Sequence, residues 1–196
     1  MSRELFLDSD PSVGDVIAQS FANQIALELD RVALRGSGTP PEPKGVLSTA
    51  GVTATSHGAN GTGLTNYDFL LDAAGAVRAA NWEPSAHIVA PRTLTNLGKL
   101  KETSTLAYLA PPAALLPILP TSQVPINLTV GTSTDCTEIF TGQWSMLAIG
   151  IRQGFEIQFL QERYADTGQV GFIAHLRADV QVLQPAAFVV DTGVRS

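Results

Sequence analysis

With one cysteine in 196 residues, Cys136, the chain has no intrachain disulfide and no thiolate cluster for a metal. A lone thiol of this kind is expected to serve as a small buried hydrophobe. The three histidines, His57, His87 and His175, form no His-x-x-x-His or comparable local ligand motif. His87 sits in an apolar run and reads as a satisfied core histidine, while His57, between Ser56 and Gly58, reads as a loop residue. Positive charge is scarce: 12 Lys and Arg against 18 Asp and Glu give a net charge of −6. That balance leaves no basic surplus for a phosphate backbone and argues against sequence-independent nucleic-acid binding as the main role. No apolar run approaches the roughly 20 residues that span a bilayer, and no basic stretch with an apolar core heads the chain as in a secretory signal. A soluble protein made inside a cell is expected.

Catalytic signatures are also missing. No Gly-x-Ser-x-Gly elbow exposes a nucleophile, so a hydrolase built from Ser145, His175 and Asp179 is the weakest of the readings. The glycine-rich stretch from Gly58 to Gly63 lacks the Lys-Ser/Thr ending of a phosphate loop and reads as a turn or hairpin tip. Trp82, Trp144, Phe155 and Phe159 have no interleaved Lys and Arg, so they read as core rather than as a base-stacking platform. No catalytic, cofactor-binding or metal-ligating residue is therefore assigned, and no enzyme activity is expected.

The chain does have apolar side chains, 44% of the total, together with 17 Gly and 12 Pro. Such a chain can bury a sizeable core broken by many turns, as one domain or two interleaved lobes. Asp10 before Pro11 is a helix start, since Asp caps orphan amides and Pro loses nothing at the first helical position. Val13, Ile17, Phe21, Ile25, Leu29 and Val32 then recur at helical spacing, predicting a long helix over residues 11–35 that ends at Gly36. Loops with a short strand near Val52 should follow, then helices over residues 66–81 and 92–100 with a buried strand, Ala86 to Ala90, between them. Four prolines among leucines between Pro111 and Pro125 bar a regular helix or a central strand there.

The last third reads as strands: 127–130, 138–141, 146–151, 155–160, 170–183 and 186–190. Phe155, Ile157 and Phe159 alternate with Glu156 and Gln158, placing the apolar side chains on one face. Helices early and strands late indicate an α+β fold rather than a doubly wound sheet.

Several short motifs also stand in a fixed order. Asp8-Ser9 precedes the long helix, and Gly36-Ser37-Gly38 and Pro43-Lys44-Gly45-Val46 follow it. Val89-Ala90-Pro91-Arg92, Lys99-Leu100-Lys101-Glu102 and Tyr108-Leu109 occupy the middle of the chain. Arg177-Ala178-Asp179 and Gln184-Pro185-Ala186-Ala187-Phe188 lie near its end. This order resembles the major capsid proteins of tailed double-stranded DNA phages, the family with the Hong Kong 97-type fold. The resemblance implies a spine helix, a peripheral lobe from residues 1–48 and 148–177, and an axial lobe from residues 49–147 and 178–196.

It further implies a structural subunit of a phage or prophage icosahedral capsid that self-assembles into capsomer rings around double-stranded DNA. The implied partners are copies of itself, other capsid or scaffolding proteins, and packaged DNA through weak non-specific contact. No cofactor and no membrane are implied, and the implied location is the virion capsid, with the host cytoplasm during assembly. An encapsulin-like nanocompartment shell is the alternative of the same fold.

Against the family pattern, Met1 falls where the family's extended hairpin loop has already returned. The N-terminal arm and that hairpin are therefore expected to be missing, as in a fragment or a natural short form. Gly168 and His175 stand at the family's cross-linking Asn and Glu positions, so covalent cross-linking is not expected. The residues expected to line a subunit interface are Leu106, Leu115, Leu116, Ile118 and Leu119, because a proline-rich loop has little capacity to bury so many leucines by itself. The competing reading folds that loop back onto its own core.

Overall fold

The apolar stripe does form one unbroken helix, α1 (Val13–Arg35), in a computed structural model that describes residues 2, 4, 13–160 and 162–195. Val13, Ile17, Phe21, Ile25 and Leu29 are half-buried, whereas Asp15, Gln19 and Asn23 are exposed. The expected helix start at Asp10 and Pro11, and the Asp8-Ser9 motif, lie outside the described residues.

The far end of α1 shows what two of the glycine motifs do. A helix leaves its last carbonyls without partners, and here backbone supplies them. Val46 N–H donates to Ala33 O at 3.0 Å, Leu47 N–H to Leu34 O at 2.9 Å, and Gly45 N–H to Gly36 O at 3.0 Å. The approach is so close that a methyl group on Gly45 would lie 2.5 Å from both Gly36 N and Val32 O. One on Gly36 would lie 2.2 Å from Pro43 O, so neither position has room for a side chain. Glu42 closes the connecting turn, accepting from the Ser37 hydroxyl and amide and from Arg31. Those hydrogen bonds, Ser37 first and Arg31 second, hold the Glu42 carboxyl down at about 2.

The chain divides into two compact units, residues 1–30 with 149–179, and residues 31–148 with 180–196. The second contains a seven-stranded mixed sheet. Its members are β1 (Thr53–Ser56), β2 (Thr62–Gly63), β3 (Ala86–Val89), β4 (Ile118–Pro120), β5 (Leu128–Val130), β6 (Ser133–Gly142) and β9 (Phe188–Arg195). The main order is β1-β9-β6-β3-β4, with β2 also on β9 and β5 on β6. Strand β6 runs antiparallel to β3, β5 and β9, while β1 and β2 lie parallel to β9, and β4 parallel to β3.

Both faces of this sheet are covered. Phe140, Phe188 and Val190 pack with Leu34, Val46, Val124 and Val182 on one side. Their strand neighbours Ile139, Val189 and Val194 turn to the other, against α2 (Asp68–Ala79) and α3 (Pro91–Gly98) through Leu70, Ala73, Val77 and Leu97. Consecutive residues on opposite faces are both buried, which is why Ile139-Phe140 on β6 and Phe188-Val189-Val190 on β9 are unbroken apolar stretches rather than alternating ones. Cys136 is fully buried, and so is His87, whose Nδ1 lies 2.7 Å from Thr141 Oγ1. Burial lowers the His87 imidazole to about 4. Arg35 at the end of α1 reaches Glu138 on β6 at 3.0 Å, and burial pushes that carboxyl up while Arg35 pulls it down.

Strands β7 (Leu147–Leu160) and β8 (Gly171–Val182) form a two-stranded sheet, whose residues 149–160 and 171–179 belong to the first unit. Ile17 and Phe21 of α1 share a cleft there with Tyr164, Val170 and Phe172. Several expectations are corrected. The segments 146–151 and 155–160 are one strand, because exposed Gly150 and Gly154 continue the extended backbone instead of breaking it. Phe155, expected in the core, is 38% exposed. The proline-rich segment contains a strand, β4, whose Pro120 is tolerated because β4 is the outermost strand on its side of the sheet. Gly58 to Gly63 is not a hairpin tip: β1 and β2 both run parallel to β9, and residues 57–61 loop out between them. Finally, residues 185–187 form a 3-10 turn, so β9 starts later and runs longer than the expected 186–190.

Candidate subunit interface

The segment from Leu100 to Pro120 carries the leucines expected at an interface, and the structure sorts them into two groups. Leu115 and Ile118 are half-buried and pack on the cluster of Tyr67, Leu70, Val89 and Leu97. Leu116 is half-buried as well. Leu119 on β4 is 50% exposed and Leu106 is 72% exposed. The loop thus folds partly onto its own core and partly presents apolar side chains outward.

Leu106 sits at the tip of a tight excursion whose backbone is satisfied from within. Lys101 and Tyr108 form an antiparallel bridge, Glu102 N–H donates to Ala107 O at 2.9 Å, and Leu106 N–H donates to Glu102 O at 3.0 Å. The Thr105 hydroxyl adds a bond to the Glu102 carboxylate at 2.6 Å. Lys101 Nζ lies 5.1 Å from the centre of the Tyr108 ring, a cation–π distance. At the base, Leu109 N–H donates to Leu100 O at 2.8 Å, and the Tyr67 hydroxyl reaches Leu97 O and Leu109 O. Leu106 itself has φ 57°, in the left-handed region that costs a branched side chain roughly 1 kcal/mol or more. A strained leucine, exposed on a rigid base, is a candidate contact residue. Tyr108, 70% exposed beside it, was legible only as part of a motif and belongs to the same tip.

The first unit adds a second apolar surface. Ile149, Ile151, Phe155, Ile157 and Phe159 occupy alternate positions of β7 and so share one face. Ile149 and Ile151 remain 47% and 61% exposed. The alternation was readable for Phe155, Ile157 and Phe159, but nothing in the sequence said how little would cover them.

The polar candidates His175 and Asp179 do not converge. Ser145 lies in the second unit, while His175 and Asp179 are exposed on β8 in the first. Four residues apart on one strand, those two are separated by about 13 Å along it, too far for a shared proton. His57 is more engaged than a loop residue need be: its ring stacks on Phe69 at 3.9 Å, and Nε2 lies 3.0 Å from Asp191 Oδ1. Among the described residues, no group of three or more His, Cys, Asp or Glu gathers as metal ligands, and no helix is long and apolar enough to cross a membrane.

Comparison with known proteins bears on the exposed apolar surfaces. The capsid of an empty GTA particle superimposes with a TM-score of 0.73 at 18% identity, over 98% of this chain and 70% of that one. A chain from Mycobacterium phage Ogopogo gives 0.71 at 17% identity, over 98% and 72%. The SrpI encapsulin of Synechococcus elongatus PCC 7942 gives 0.66 at 13% identity, over 100% and 71%. At such identities these similarities establish the fold. No curated protein matches the chain. The family profile described as the phage capsid family matches residues 1–192, and the chain accordingly belongs to that family, as a structural protein of a self-assembling capsid shell.

Proposed function

We propose that the protein is the subunit of an icosahedral phage or prophage capsid that forms capsomer rings and encloses double-stranded DNA. In this reading α1 is the spine helix. The unit of residues 1–30 and 149–179 is the peripheral lobe, and the unit of residues 31–148 and 180–196 is the axial lobe. The observation that carries the ring assignment is the excursion from Lys101 to Tyr108, with its backbone satisfied internally and Leu106 held outward. Rings close through heterologous contacts, so this tip meets a different patch on the next copy. Leu106 and Leu119 supply contact area, while Leu115, Leu116 and Ile118 form the base that holds them.

The test is assembly state. Mass photometry and cryo-EM of the purified chain should show rings or shells, and Leu106→Ser should shift the population to monomer without lowering the urea midpoint. An unchanged mass distribution for Leu106→Ser rules this tip out as the contact. The similarity to an encapsulin supports a second reading, a shell around protein cargo. Particles made in cells and treated with nuclease separate the two, since a capsid protects DNA of defined length and a nanocompartment protects cargo protein.

A further inference from the structure

Asp191 is 2% exposed, lies on β9 in the middle of the sheet, and is a carboxylate only half used. Its Oδ1 lies 3.0 Å from His57 Nε2, while Oδ2 is buried with no hydrogen-bond partner among the described residues. His57 comes from the excursion between β1 and β2 and is clamped from the other side by the Phe69 ring, 3.9 Å away and within 22° of parallel. The same excursion is tied down at two further points. The Asn60 side chain accepts from Thr132 N–H at 3.0 Å, and Gly61 fits so closely that a methyl group there would stand 2.8 Å from Cys136 Sγ. Residues 57–61 thus form a flap over the sheet and over its buried thiol.

The charges bearing on Asp191 are few. His57 faces it from the flap and Asp72 from α2. Strands β1 and β2 carry no titratable side chain. On β6, Asp135 is engaged by Arg195 and Glu138 by Arg35; on α2, Asp68 bonds Asn66 and Arg78 bonds Glu83. One proton on the His57–Asp191 pair leaves it neutral or internally compensated. Without that proton, a buried carboxylate with an orphan oxygen is left facing Asp72.

We propose that His57 and Asp191 form a proton-operated latch, which holds the 57–61 flap closed over Cys136 when the pair carries a proton and releases it when the proton leaves. Burial, the largest influence, raises the Asp191 carboxyl to about 6, with Asp72 pushing the same way and His57 opposing. A folded-state value raised above the ordinary one stabilises the closed form at low pH, and this is lost as pH rises through about 6. If opening restores an ordinary carboxyl, the opening equilibrium rises roughly tenfold between pH 5 and pH 7.5. The latch belongs to the subunit fold and operates in the monomer, so it stands or falls independently of shell assembly.

Cys136 is a built-in reporter. Its labelling by 4,4′-dithiodipyridine in the native chain is measured from pH 5 to 7.5 and divided, at each pH, into the rate for the urea-unfolded chain. The parent should lose about tenfold of its protection over that range, and Asp191→Asn should change by less than twofold. A flat profile in the parent, or the same slope in both proteins, overturns the latch. Carbon-13 NMR of the parent gives a second reading that needs no variant. Asp191 should titrate near pH 6 and move the Gly61 amide with it, and titration in the ordinary aspartate range overturns the proposal.

Discussion

The fully buried His87 makes a quantitative prediction about acid stability. Desolvation holds its imidazole at about 4 against an ordinary 6.5. A depressed value means that the unfolded chain takes up a proton that the folded one refuses, so stability is lost as pH falls from 6.5 to 4. Two and a half units correspond to about 3 kcal/mol, and near pH 5 the slope is about 1.2 kcal/mol per pH unit. Asp191, raised from 3.8 to about 6, has the opposite sign over nearly the same window and nearly the same slope. The two contributions offset each other near pH 5.

Removing one should therefore unmask the other. In urea titrations at half-unit steps from pH 4.5 to 7, Asp191→Asn should become more acid-labile than the parent by about 1 kcal/mol per pH unit. His87→Asn should show the reverse, gaining stability relative to the parent as pH falls. Carboxylates common to all three proteins cancel in these differences. Identical pH slopes for parent and both variants would refute the reasoning, because neither burial would then be shifting a proton equilibrium.

Other outcomes follow from named contacts. Gly45→Ala must open the clamp at the end of α1 and weaken its three backbone hydrogen bonds, at about 2–4 kcal/mol by denaturant melts, and a loss under 1 kcal/mol would contradict the geometry. Gly75→Ala, in α2 with nothing within 4 Å of the added methyl, should instead stabilise by about 0.5–1 kcal/mol in the same melts. Arg35→Leu leaves Glu138 buried and unpaired and should cost about 3 kcal/mol, most of it recovered in the double variant Arg35→Leu with Glu138→Leu. Leu115→Asp should lower both monomer stability and association, while Leu106→Ser lowers association alone, as read by urea midpoint and mass photometry.

Much of the fold was legible because it is periodic. The α1 stripe, the apolar face of α2 and the buried run ending at Pro91 each place side chains by local geometry, and the structure keeps them. What escaped was set by partners distant in sequence. Strands β2 and β4 are two and three residues long and exist only because β9 and β3 offer them a ladder. Phe155 carries the alternation of a half-buried strand, yet burial depends on a covering layer that a strand pattern does not encode. At the candidate interface the leucines were readable as a group. Their division into core-packed Leu115 and outward Leu106 depended on Tyr67 anchoring the loop from 42 residues away through Leu109. The His57–Asp191 pair, separated by 134 positions, carried no sequence signal at all.

The uneven distribution of buried side chains has a kinetic consequence. Among the described residues of the first unit only Val170 is buried, whereas β6 alone has seven buried positions running from Cys136 to Gly142. Local opening free energy tracks buried contacts, so the β7–β8 ribbon should behave as a separate foldon that exchanges its amide hydrogens well before the β6–β9 ladder does. Contact with another subunit over Ile149 and Ile151 would then slow exchange in the ribbon first. The subunit would thus finish ordering as it assembles, and the growth of a shell could be followed in time by the deuterium content of one hairpin.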